Sequence, residues 1–560
     1  MQTQHAGTEI LDAIGAWTDA VTLGDALLRT AATVPDAAAL VMPDRTWTYG
    51  ELADGAQAVA RNLIGLGVQP GEHVAVLIPN GIETLSAIFG VALAGAVLVP
   101  INGRFRAPEI AYILRDSDAV AVITSDITDD YNCFADLLVE GLPGLAEAED
   151  PQRLRLPDHP SLRSVVLIGH KQRPEVVDQE RFDALGAGVS AEELDGRRAR
   201  VALRDPALVL YTSGTTANPR GAVIAHESVV RAWTAVARRL EIGADDVVWN
   251  PCPMFHIAAI GVAIACTLKG ATMLTTRFFE PQQSIRLLAE HPPTVLYPAY
   301  PLIILGVLNH PDAGAVDLAR ATRMLVVGAP ETLRGIQDRL PHTTLVSTFG
   351  MTESAGCSTM HALDDDVEVR TTTVGRPLPG LEARIADPQT DAELPRGTAG
   401  EIQLRGAVLS DGYYKDPEKT AAVYLPDGWM KTGDVGKMDA AGRLAYGGRI
   451  KEMLRIGGEN VSPVAIEAHL MTHPAVNMAQ VVGVPDERLD EVPAAFVECK
   501  PGATVTAADL REHCEGKLAR FKIPHYWRFV EEWPMSATKI QKFKLRDQLL
   551  AELGADRARA

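Results

Sequence analysis

Residues 211–221 read YTSGTTANPRG, a loop that holds three Thr, one Ser and two Gly. The apolar run ALVLY at 207–211 comes before the hydroxyl residues of the loop, and the apolar run AVIA at 222–225 follows the loop. These two runs predict two strands in the interior of a sheet. Glycine lets the chain approach an anion closely, and hydroxyls and amides can then converge on phosphate oxygens. An ordinary Ser/Thr/Gly connection has the same composition, so other segments have to distinguish the two.

The composition is that of an acidic chain with a moderate apolar content. It has 560 residues, 47% of them hydrophobic and 22% charged, which is ordinary for a globular enzyme of several domains. The net charge of −19 argues against binding to nucleic acid or to an anionic membrane. A phosphate site therefore has to be a locally basic region of an otherwise acidic protein. The six cysteines form no C-x-x-C pair, and no basic, apolar leader opens the chain, so we expect a cytoplasmic protein with free thiols.

Hydrophobic periodicity divides the chain into a large α/β part and a smaller α+β part. Helical and strand patterns alternate over 40–140 and again over 205–350, which predicts largely parallel sheets. Residues 140–200 are rich in Pro and charge, and we interpret them as a surface excursion. Short segments between turn residues predict antiparallel strands over 375–450, and a small α+β domain follows. The uncharged stretch 84–103 is interpreted as a buried helix that runs into a strand rather than as a membrane span.

Four further segments share their order and spacing with the motifs of one enzyme superfamily. They are STFGMTES at 347–354, GWMKTGD at 428–434, GRIKEMLRIGGEN at 448–460 and SATKIQKFKLR at 536–546. Together with the loop, the set resembles the adenylate-forming superfamily, the acyl-CoA synthetases and their relatives, over about residues 25–550. The resemblance implies a multidomain fold, α/β and α+β, with two α/β subdomains and a small β-barrel in a large N-terminal domain and a mobile α+β C-terminal domain. We place these domains at 1–448 and 449–560, with the hinge near Lys451.

The superfamily's reaction has two halves, and the expected ligands follow from it. A carboxylate attacks the α-phosphate of Mg-ATP to give an acyl-adenylate and pyrophosphate, and the thiol of CoA then displaces AMP to give a thioester. The resemblance therefore implies ATP, Mg²⁺ and CoA as ligands and a carboxylic acid as the substrate. Because the reactants are both anions, the site has to position them and neutralise charge.

The nucleotide-binding roles carry over onto matching residues of the motifs. In the loop, the cradle for the departing phosphates would be Thr212, Ser213, Gly214, Thr215, Thr216 and Arg220. Around the base and the ribose, the contacts would be Gly328, Ala329, Pro330, Thr348, Phe349, Gly350, Met351, Asp434 and Arg449. Phe349 would stack on adenine, and Asp434 would accept both ribose hydroxyls with help from Arg449. Thr352 would bond the α-phosphate, and Glu353 and Thr215 would hold Mg²⁺, which prefers hard oxygen ligands.

Lys539 is the residue expected to carry adenylation. Its ammonium can meet the carboxylate and the α-phosphate at once, in a site from which water is excluded. The superfamily generally has Gly directly before this lysine, where this chain has Thr538, so Lys542 stays open as a second choice.

The loop and the hinge segment complete the resemblance. Ala217 and Arg220 stand where the superfamily usually has Gly and Lys, which changes the geometry of the loop but keeps its charge. After the hinge at Lys451, the residues expected to border the pantetheine tunnel are Arg455, Gly457 and Gly458.

The acid pocket is expected to begin at PMFHIAAIG, residues 253–261, with His256 near the acyl carboxylate. Relatives that activate amino acids carry Asp in this region, and none occurs between Pro251 and Leu268, so an amino acid is not expected. The small residues at 258, 259, 261, 355 and 356 predict room for an apolar acid of some bulk. A medium- or long-chain fatty acid, a sterol side chain and an aryl acid all stay open.

Three functions stay open at this stage. The first is an acid–CoA ligase, and the second is an adenylating enzyme that loads an acyl group onto a carrier protein. The third, an inactive nucleotide-binding protein, is disfavoured because the chain keeps Thr352, Glu353, Asp434, Arg449 and Lys539. The expected partners are small molecules, without nucleic acid or an integral membrane segment, and a homodimer is left open.

Overall fold

Residues 38–346 form two mainly parallel sheets. The computed structural model describes residues 21–130, 132–212, 219–456, 459–486, 488–536 and 539–559, with the side chains of 459, 460, 536, 539 and 555–559 left out of the description. The strands are β1 (Ala38–Val41), β2 (Thr46–Thr48), β3 (His73–Leu77), β4 (Val97–Pro100), β5 (Ala121–Ser125), β6 (Ser164–Ile168), β7 (Val177–Asp178), β8 (Pro206–Thr212), β9 (Arg220–Ala225), β10 (Val247–Trp249), β11 (Thr272–Leu274), β12 (Val295–Ala299), β13 (Arg323–Val326) and β14 (Thr344–Val346). One sheet has the order β7-β6-β5-β3-β4-β8-β9 and the other β14-β13-β12-β10-β11-β1-β2. Only the pairs β8–β9 and β1–β2 of these sheets are antiparallel among the described residues.

Helices pack between and around the two sheets. They are α1 (Leu23–Thr33), α2 (Tyr49–Gly65), α3 (Ile82–Leu93), α4 (Ala107–Asp116), α5 (Phe134–Gly141), α6 (Gln179–Gly186), α7 (Ala191–Arg198), α8 (His226–Arg239), α9 (Ile257–Lys269), α10 (Pro281–Glu290), α11 (Pro301–Leu308) and α12 (Pro330–Arg339). Helices α1, α2, α3, α8 and α9 share one apolar core with residues of both sheets. Every residue of α3 from Thr84 to Leu93 is buried, so the helix is enclosed on all sides after its first turn. Helix α2 begins with a capping box, in which Thr48 and Glu51 satisfy each other's backbone N–H groups.

Two smaller antiparallel sheets follow. The strands are β15 (Thr348–Phe349), β16 (Thr359–Met360), β17 (Arg376–Pro377), β18 (Leu381–Ala386), β19 (Ala399–Gly406), β20 (Met430–Met438) and β21 (Leu444–Arg449), with helices α13 (Val367–Thr372) and α14 (Pro417–Val423). Strands β18 to β21 pair in sequence order, which agrees with the antiparallel pattern predicted for 375–450. The register places Asp434 of β20 opposite Arg449, the last residue of β21.

The C-terminal part has apolar cores of its own. Its strands are β22 (Leu454–Ile456), β23 (Glu459–Val461), β24 (Val476–Asp486), β25 (Asp490–Cys499), β26 (Tyr526–Phe529), β27 (Met535–Ser536) and β28 (Lys539–Ile540), and its helices are α15 (Pro463–Met471), α16 (Ala507–Cys514) and α17 (Lys542–Arg559). Residues of β22, β24, β25, α15 and α16 form one cluster, and α17 packs with β24 and β25 in another. The connection to the preceding sheet includes a hydrogen bond that the Ser462 hydroxyl donates to the Gly447 carbonyl at 2.6 Å.

Two expectations about the organisation are wrong. Residues 140–200 are not a surface excursion, because β6 is buried within its sheet and α6 packs against α2. The loop at 211–221 joins β8 to β9, but β9 is the last strand of its sheet and not an interior one. Residues 411–414 cover its outer edge: the Val223 amide donates to Gly412 at 2.9 Å, and the Tyr414 amide donates to Gly221 at 2.8 Å.

The uncharged stretch 84–103 lies in α3 and β4, as the sequence predicts. Across the part of the chain that the structure describes, no helix has the length and apolar character needed to cross a membrane.

Tyr49 joins the helices that lie between the two sheets. Its side chain is buried, and its hydroxyl lies 2.6 Å from the carbonyl oxygen of Ala271 and 2.9 Å from that of Cys266. Tyr49→Phe removes the donor and should lower the free energy of unfolding by about 1–3 kcal/mol. Urea denaturation followed by circular dichroism checks this, with Tyr526→Phe at a half-buried position as the control. An unchanged midpoint for Tyr49→Phe would contradict the role of this hydrogen bond.

Candidate active site

A tight turn between β15 and β16 carries the motif STFGMTES, and its geometry requires glycine. A Cβ at Gly350 would lie 1.9 Å from the carbonyl oxygen of Gly356, so no side chain fits there. Ala355 and Gly356 have φ angles of +54° and +108°, which close the turn. A 3-10 helix at Thr352–Ser354 lies inside it. Phe349 and this short helix are therefore held on one constrained piece of backbone.

Glu353 is a buried carboxylate with a dedicated hydrogen-bond donor. The residue is 6% exposed, and the Tyr413 hydroxyl donates to its Oε1 at 2.6 Å. The Ser410 amide donates to the Glu353 carbonyl at 2.7 Å, which fixes the backbone as well. Burial, followed by the charge of Glu353, raises the pKa of Tyr413 well above its ordinary value, so its hydroxyl keeps the proton that it donates. Thr352 is only half-buried beside this pair.

Asp434 and Arg449 form an ion pair across β20 and β21. Arg449 Nε lies 3.0 Å from Asp434 Oδ1, and Asp434 is buried. Burial opposes the charge of Arg449, but the carboxylates of Asp434, Glu353 and Glu452 raise the pKa of Arg449 overall. The guanidinium is therefore held charged among the carboxylates of the site.

Phe349 is linked to this ion pair through a second aromatic ring. The Phe349 ring stacks on Tyr446, with centroids 5.9 Å apart and an interplanar angle of 29°. The Tyr446 hydroxyl donates to Asp434 Oδ1 at 3.5 Å. One face of Phe349 is therefore taken by Tyr446, a residue that the sequence motifs do not single out.

The predicted adenine wall lies where β13 ends. Gly328 is exposed there, and Ala329 and Pro330 lead into α12. This is the carboxyl edge of a parallel sheet, where α/β proteins place their ligands. Thr348, by contrast, is buried, and its hydroxyl donates to the Thr359 carbonyl inside the sheet. Met351 is half-buried on the turn.

Basic side chains gather on the other side of Glu353. Arg220 Nε pairs with Asp416 Oδ2 at 2.8 Å, at the end of the loop that follows β8. Burial lowers the pKa of Lys419 in α14, and the charges of Lys451 and Arg220 lower it further. Lys451, where the hinge is predicted, is therefore close enough to Lys419 for their charges to interact. Lys419 has no distinctive local pattern, and sequence reasoning missed it.

The segment PMFHIAAIG is anchored from a different strand–helix connection. The buried Asn80 accepts a hydrogen bond from the Met254 amide at 2.8 Å and donates to the Cys252 carbonyl at 3.0 Å. His256 is half-buried at the start of α9, and its ring lies 4.5 Å from that of Phe255. Asn80 is 174 positions from Met254 in the sequence, which is why no local signal identifies it.

The small residues of this segment do not all face an open space. Ala258 is half-buried, whereas Ala259 and Gly261 are buried in the core of α9. A Cβ at Gly261 would lie 1.5 Å from an indole carbon of Trp233, so the glycine makes room for that ring.

Several predicted residues lie outside the described part of the chain or are described without side chains. The predictions for Ser213, Gly214, Thr215, Thr216, Gly457 and Gly458 fall outside the described residues. The structure describes the residues on either side of the loop, where the Thr212 hydroxyl donates to the Arg220 carbonyl at 3.5 Å. Arg455 is exposed on β22, and its amide donates to Glu491 at 2.9 Å.

The two candidate lysines occupy different environments. Lys539 pairs with Ser536 in the hairpin of β27 and β28, and its side chain is outside the description. Lys542 Nζ lies 2.6 Å from Oε1 of the buried Glu467, which also accepts the Val481 amide at 2.7 Å. Lys542 therefore has a structural partner inside the C-terminal part, which favours Lys539 over Lys542 as the lysine expected to carry adenylation.

Comparison with protein families gives two matches along the chain. The model described as AMP-binding enzyme matches residues 27–414. The model described as AMP-binding enzyme C-terminal domain matches residues 465–539. The first match alone spans more than half of the chain.

Curated relatives match over nearly the whole length. The Bacillus subtilis protein YngI, named as an acyl-CoA synthetase, is 35% identical over 94% of this chain and 97% of its own length. The Rattus norvegicus mitochondrial medium-chain acyl-CoA ligase ACSF2 is 30% identical over 94% of this chain and 87% of its own. A Mycobacterium tuberculosis CoA ligase, named for a propanoyl group on a methylated dioxo-octahydroindene, is 35% identical over 94% and 99% of the two chains.

Among solved structures, the anthranilate CoA ligase AuaEII in complex with anthranoyl-AMP superposes with a TM-score of 0.82 and 27% identity. The match covers 96% of this chain and 98% of the other.

Lys542→Met should destabilise the C-terminal part, because it leaves the buried Glu467 carboxylate with one neutral donor. The expected loss is about 1.5–3 kcal/mol, the range for a hydrogen bond to a charged group. Hydrogen–deuterium exchange over β24 and β25 measures it, with β5 and β12 as internal controls that should not change. The double variant with Glu467→Gln should recover part of the protection, since the buried charge is then absent. Unchanged exchange in Lys542→Met would contradict the structural role of this pair.

Proposed function

The chain belongs to the AMP-binding enzyme family, and we propose that it ligates an apolar carboxylic acid of some bulk to CoA. It is an ATP-dependent acid–CoA ligase: a carboxylate and ATP give an acyl-adenylate and pyrophosphate, and CoA then gives the thioester and AMP. The single observation that supports the site best is the arrangement of Glu353, Asp434 and Arg449 around the turn after β15. It supplies a buried carboxylate for a metal and a carboxylate–guanidinium pair for a ribose.

The proposed nucleotide site follows from this arrangement. Asp434 would accept the ribose hydroxyls, and the ion pair with Arg449 fixes the orientation of that carboxylate. Phe349 and the segment 328–330 would bound the base, and Thr352 would bond the α-phosphate. Arg220 would offer a cation to the phosphates, at the end of the loop that the resemblance assigns to them.

The residues present fit a magnesium ion that is bound together with ATP. Glu353 offers one buried carboxylate whose orientation is fixed by Tyr413. Among the described residues, no group of three or more His, Cys, Asp or Glu side chains could hold a metal. A single carboxylate suits Mg²⁺, which keeps several waters and takes its other ligands from substrate phosphates. When bound, the ion neutralises phosphate charge, and Tyr413 keeps Glu353 available to it.

We propose two domains that share this site, at 1–448 and 449–560. The separate apolar cores of the C-terminal part support the boundary. Lys539 would contact the acid carboxylate and the α-phosphate, and His256 would lie near the acyl carboxylate. Arg455, Gly457 and Gly458 would border the path of the CoA thiol arm.

The nature of the acid is supported by the relatives and by the segment 251–268. The rat relative is named for medium-chain acids, and the mycobacterial relative for a fused-ring propanoate. Both acids are built mainly of hydrocarbon, although the fused-ring propanoate also carries two ketones. Neither is an amino acid, and no Asp lies between Pro251 and Leu268 to hold an amino group. The neighbour structure holds an aryl adenylate, so an aryl acid is the second candidate substrate. A carrier protein is the second candidate acceptor.

We also propose a cytoplasmic location. All six cysteines are free, as in a reducing compartment. The rat relative is named as mitochondrial, so fractionation of the native host is the test of this proposal.

The test of the function is a panel of acids with Mg-ATP, in which AMP formation is followed with CoA and with a holo-carrier protein. Apolar fatty and fused-ring acids with CoA should be turned over fastest. Lys539→Ala should reduce acyl-adenylate formation by about 10²–10³-fold, because an electrostatic contact to the transition state is lost. Lys544→Ala, which changes an exposed lysine near the start of α17, should have no effect. Full activity in Lys539→Ala, or AMP formation with the carrier protein alone, would overturn the assignment.

Lys451→Pro should impair thioester formation and largely spare the adenylate. Proline fixes φ near −65° and restricts the preceding residue, so the hinge loses the rotation that the second half-reaction needs. Lys451→Ala removes the charge and keeps the backbone freedom, and it separates the two effects. Pyrophosphate release and acyl-CoA formation are measured in parallel. An equal loss in both half-reactions would argue against a hinge at this residue.

A further inference from the structure

A buried tryptophan lies directly beneath the segment that begins the acid pocket. Trp233 belongs to α8 and has no exposed surface, yet no motif includes it. Its indole lies over the backbone of Gly261 in α9: a Cβ there would approach Cε2 to 1.5 Å, Cζ2 to 2.0 Å and Nε1 to 2.1 Å. No residue other than glycine is compatible with this ring at position 261.

The same indole reaches the turn that carries Glu353. A Cβ at Gly356 would lie 3.0 Å from Cζ2 of Trp233 and 3.4 Å from a methylene carbon of Ile257. Gly356 is itself only half-buried, so the ring and Ile257 bound the space beside it from below. The small residues at 261 and 356 therefore do not create depth in the pocket, because Trp233 fills the volume that they leave.

The orientation of the ring is fixed by polar and aromatic contacts. Its Nε1–H donates to the carbonyl oxygen of Ala355 at 2.9 Å, a residue held at a φ of +54°. The Tyr297 ring lies 6.0 Å away at an angle of 56°, and both residues are buried. A buried indole with its N–H satisfied has one position, so it closes the space at a defined depth.

We propose that Trp233 is the floor of the acid pocket and limits the length of the acid that the enzyme accepts. This inference rests on the proposed acid–CoA ligase function and deepens it. The acid would enter from the half-buried side of the segment, where His256 and Ala258 lie, with its carboxylate toward Thr352. Its apolar end would then reach Gly356 and Ile257, which the indole supports from behind, and beyond the indole the core of α8 and α9 is closely packed.

Replacement of Trp233 by a smaller apolar residue opens an apolar cavity at the end of the pocket. Such cavities stay dry and take up apolar groups of matching size. The variant should therefore bind longer acids more tightly than the wild-type enzyme does, and its binding of short acids should not improve. A methylene that fits such a pocket changes kcat/KM by about 10-fold or more, which sets the size of the effect.

The experiment compares kcat/KM for pyrophosphate release over a ladder of saturated acids from butanoate to palmitate. Trp233→Leu should move the optimum to longer acids, with the ratio of long to short acids raised at least about 10-fold. Trp233→Phe keeps an aromatic ring, loses the hydrogen bond to Ala355 and should shift the optimum less. The KM for ATP should stay unchanged in both. Trp249→Phe is the matched control, since Trp249 is equally buried but packs in the cluster on the other face of its sheet.

If kcat/KM falls equally for all acids in both Trp233 variants, and the optimal chain length does not move, Trp233 is an ordinary core residue and the proposal is overturned. If no acid supports pyrophosphate release in the wild-type enzyme, the proposed function itself fails, and this inference fails with it. A second measurement probes the geometry alone. Gly261→Ala should lower the thermal midpoint in the wild-type background and be tolerated in Trp233→Leu, because the clash is with the indole. Equal destabilisation in both backgrounds would contradict the placement of the ring.

Discussion

The contact between Gly350 and the carbonyl oxygen of Gly356 is the constraint on which the candidate site depends. The two backbones touch, so the turn between them has one shape, and its 3-10 helix holds Glu353 at a fixed position. The same turn presents the Ala355 carbonyl to Trp233 on its other side. Glu353, the proposed metal ligand, and Trp233, the proposed floor of the acid pocket, are thus both held by one rigid turn. Acid and nucleotide would be aligned by backbone geometry rather than by adjustable side chains.

The predicted hinge lies directly after the ion pair of Asp434 and Arg449. Arg449 is the last residue of β21 and is paired with Asp434, so the strand is held firmly up to the residue before the 3-10 segment Ile450–Glu452. The proposed rotation of the C-terminal part would therefore begin after the pair of Asp434 and Arg449. Lys451 and Arg220 both lie close enough to Lys419 for their charges to lower its pKa, which brings positive charge together in a chain whose net charge is −19. A local field of positive sign attracts anions.

Much of the fold was predictable because its signals are local. The apolar strands β3, β5 and β12, the buried helix α3 and the turn-rich sheet of β18 to β21 all follow from periodicity. The strand β6 was missed because its short apolar run stands among Pro and charged residues, and only its neighbours in the sheet reveal its burial. The motif residues of the site were predictable from order and spacing. Tyr413, Asn80 and Trp233 were not, because each acts on a segment 60 to 174 positions away.

The glycines near the acid segment show why pocket size is difficult to infer from sequence. A small residue leaves space in one wall of a pocket, but a side chain packed against that residue can fill the space. At Gly261 that side chain is Trp233, contributed by the preceding helix, and the apparent gain in room is cancelled. The depth of the pocket is then a property of the pair and not of either position. The residues of the acid segment alone therefore cannot rank substrates by size, because Trp233 lies outside that segment.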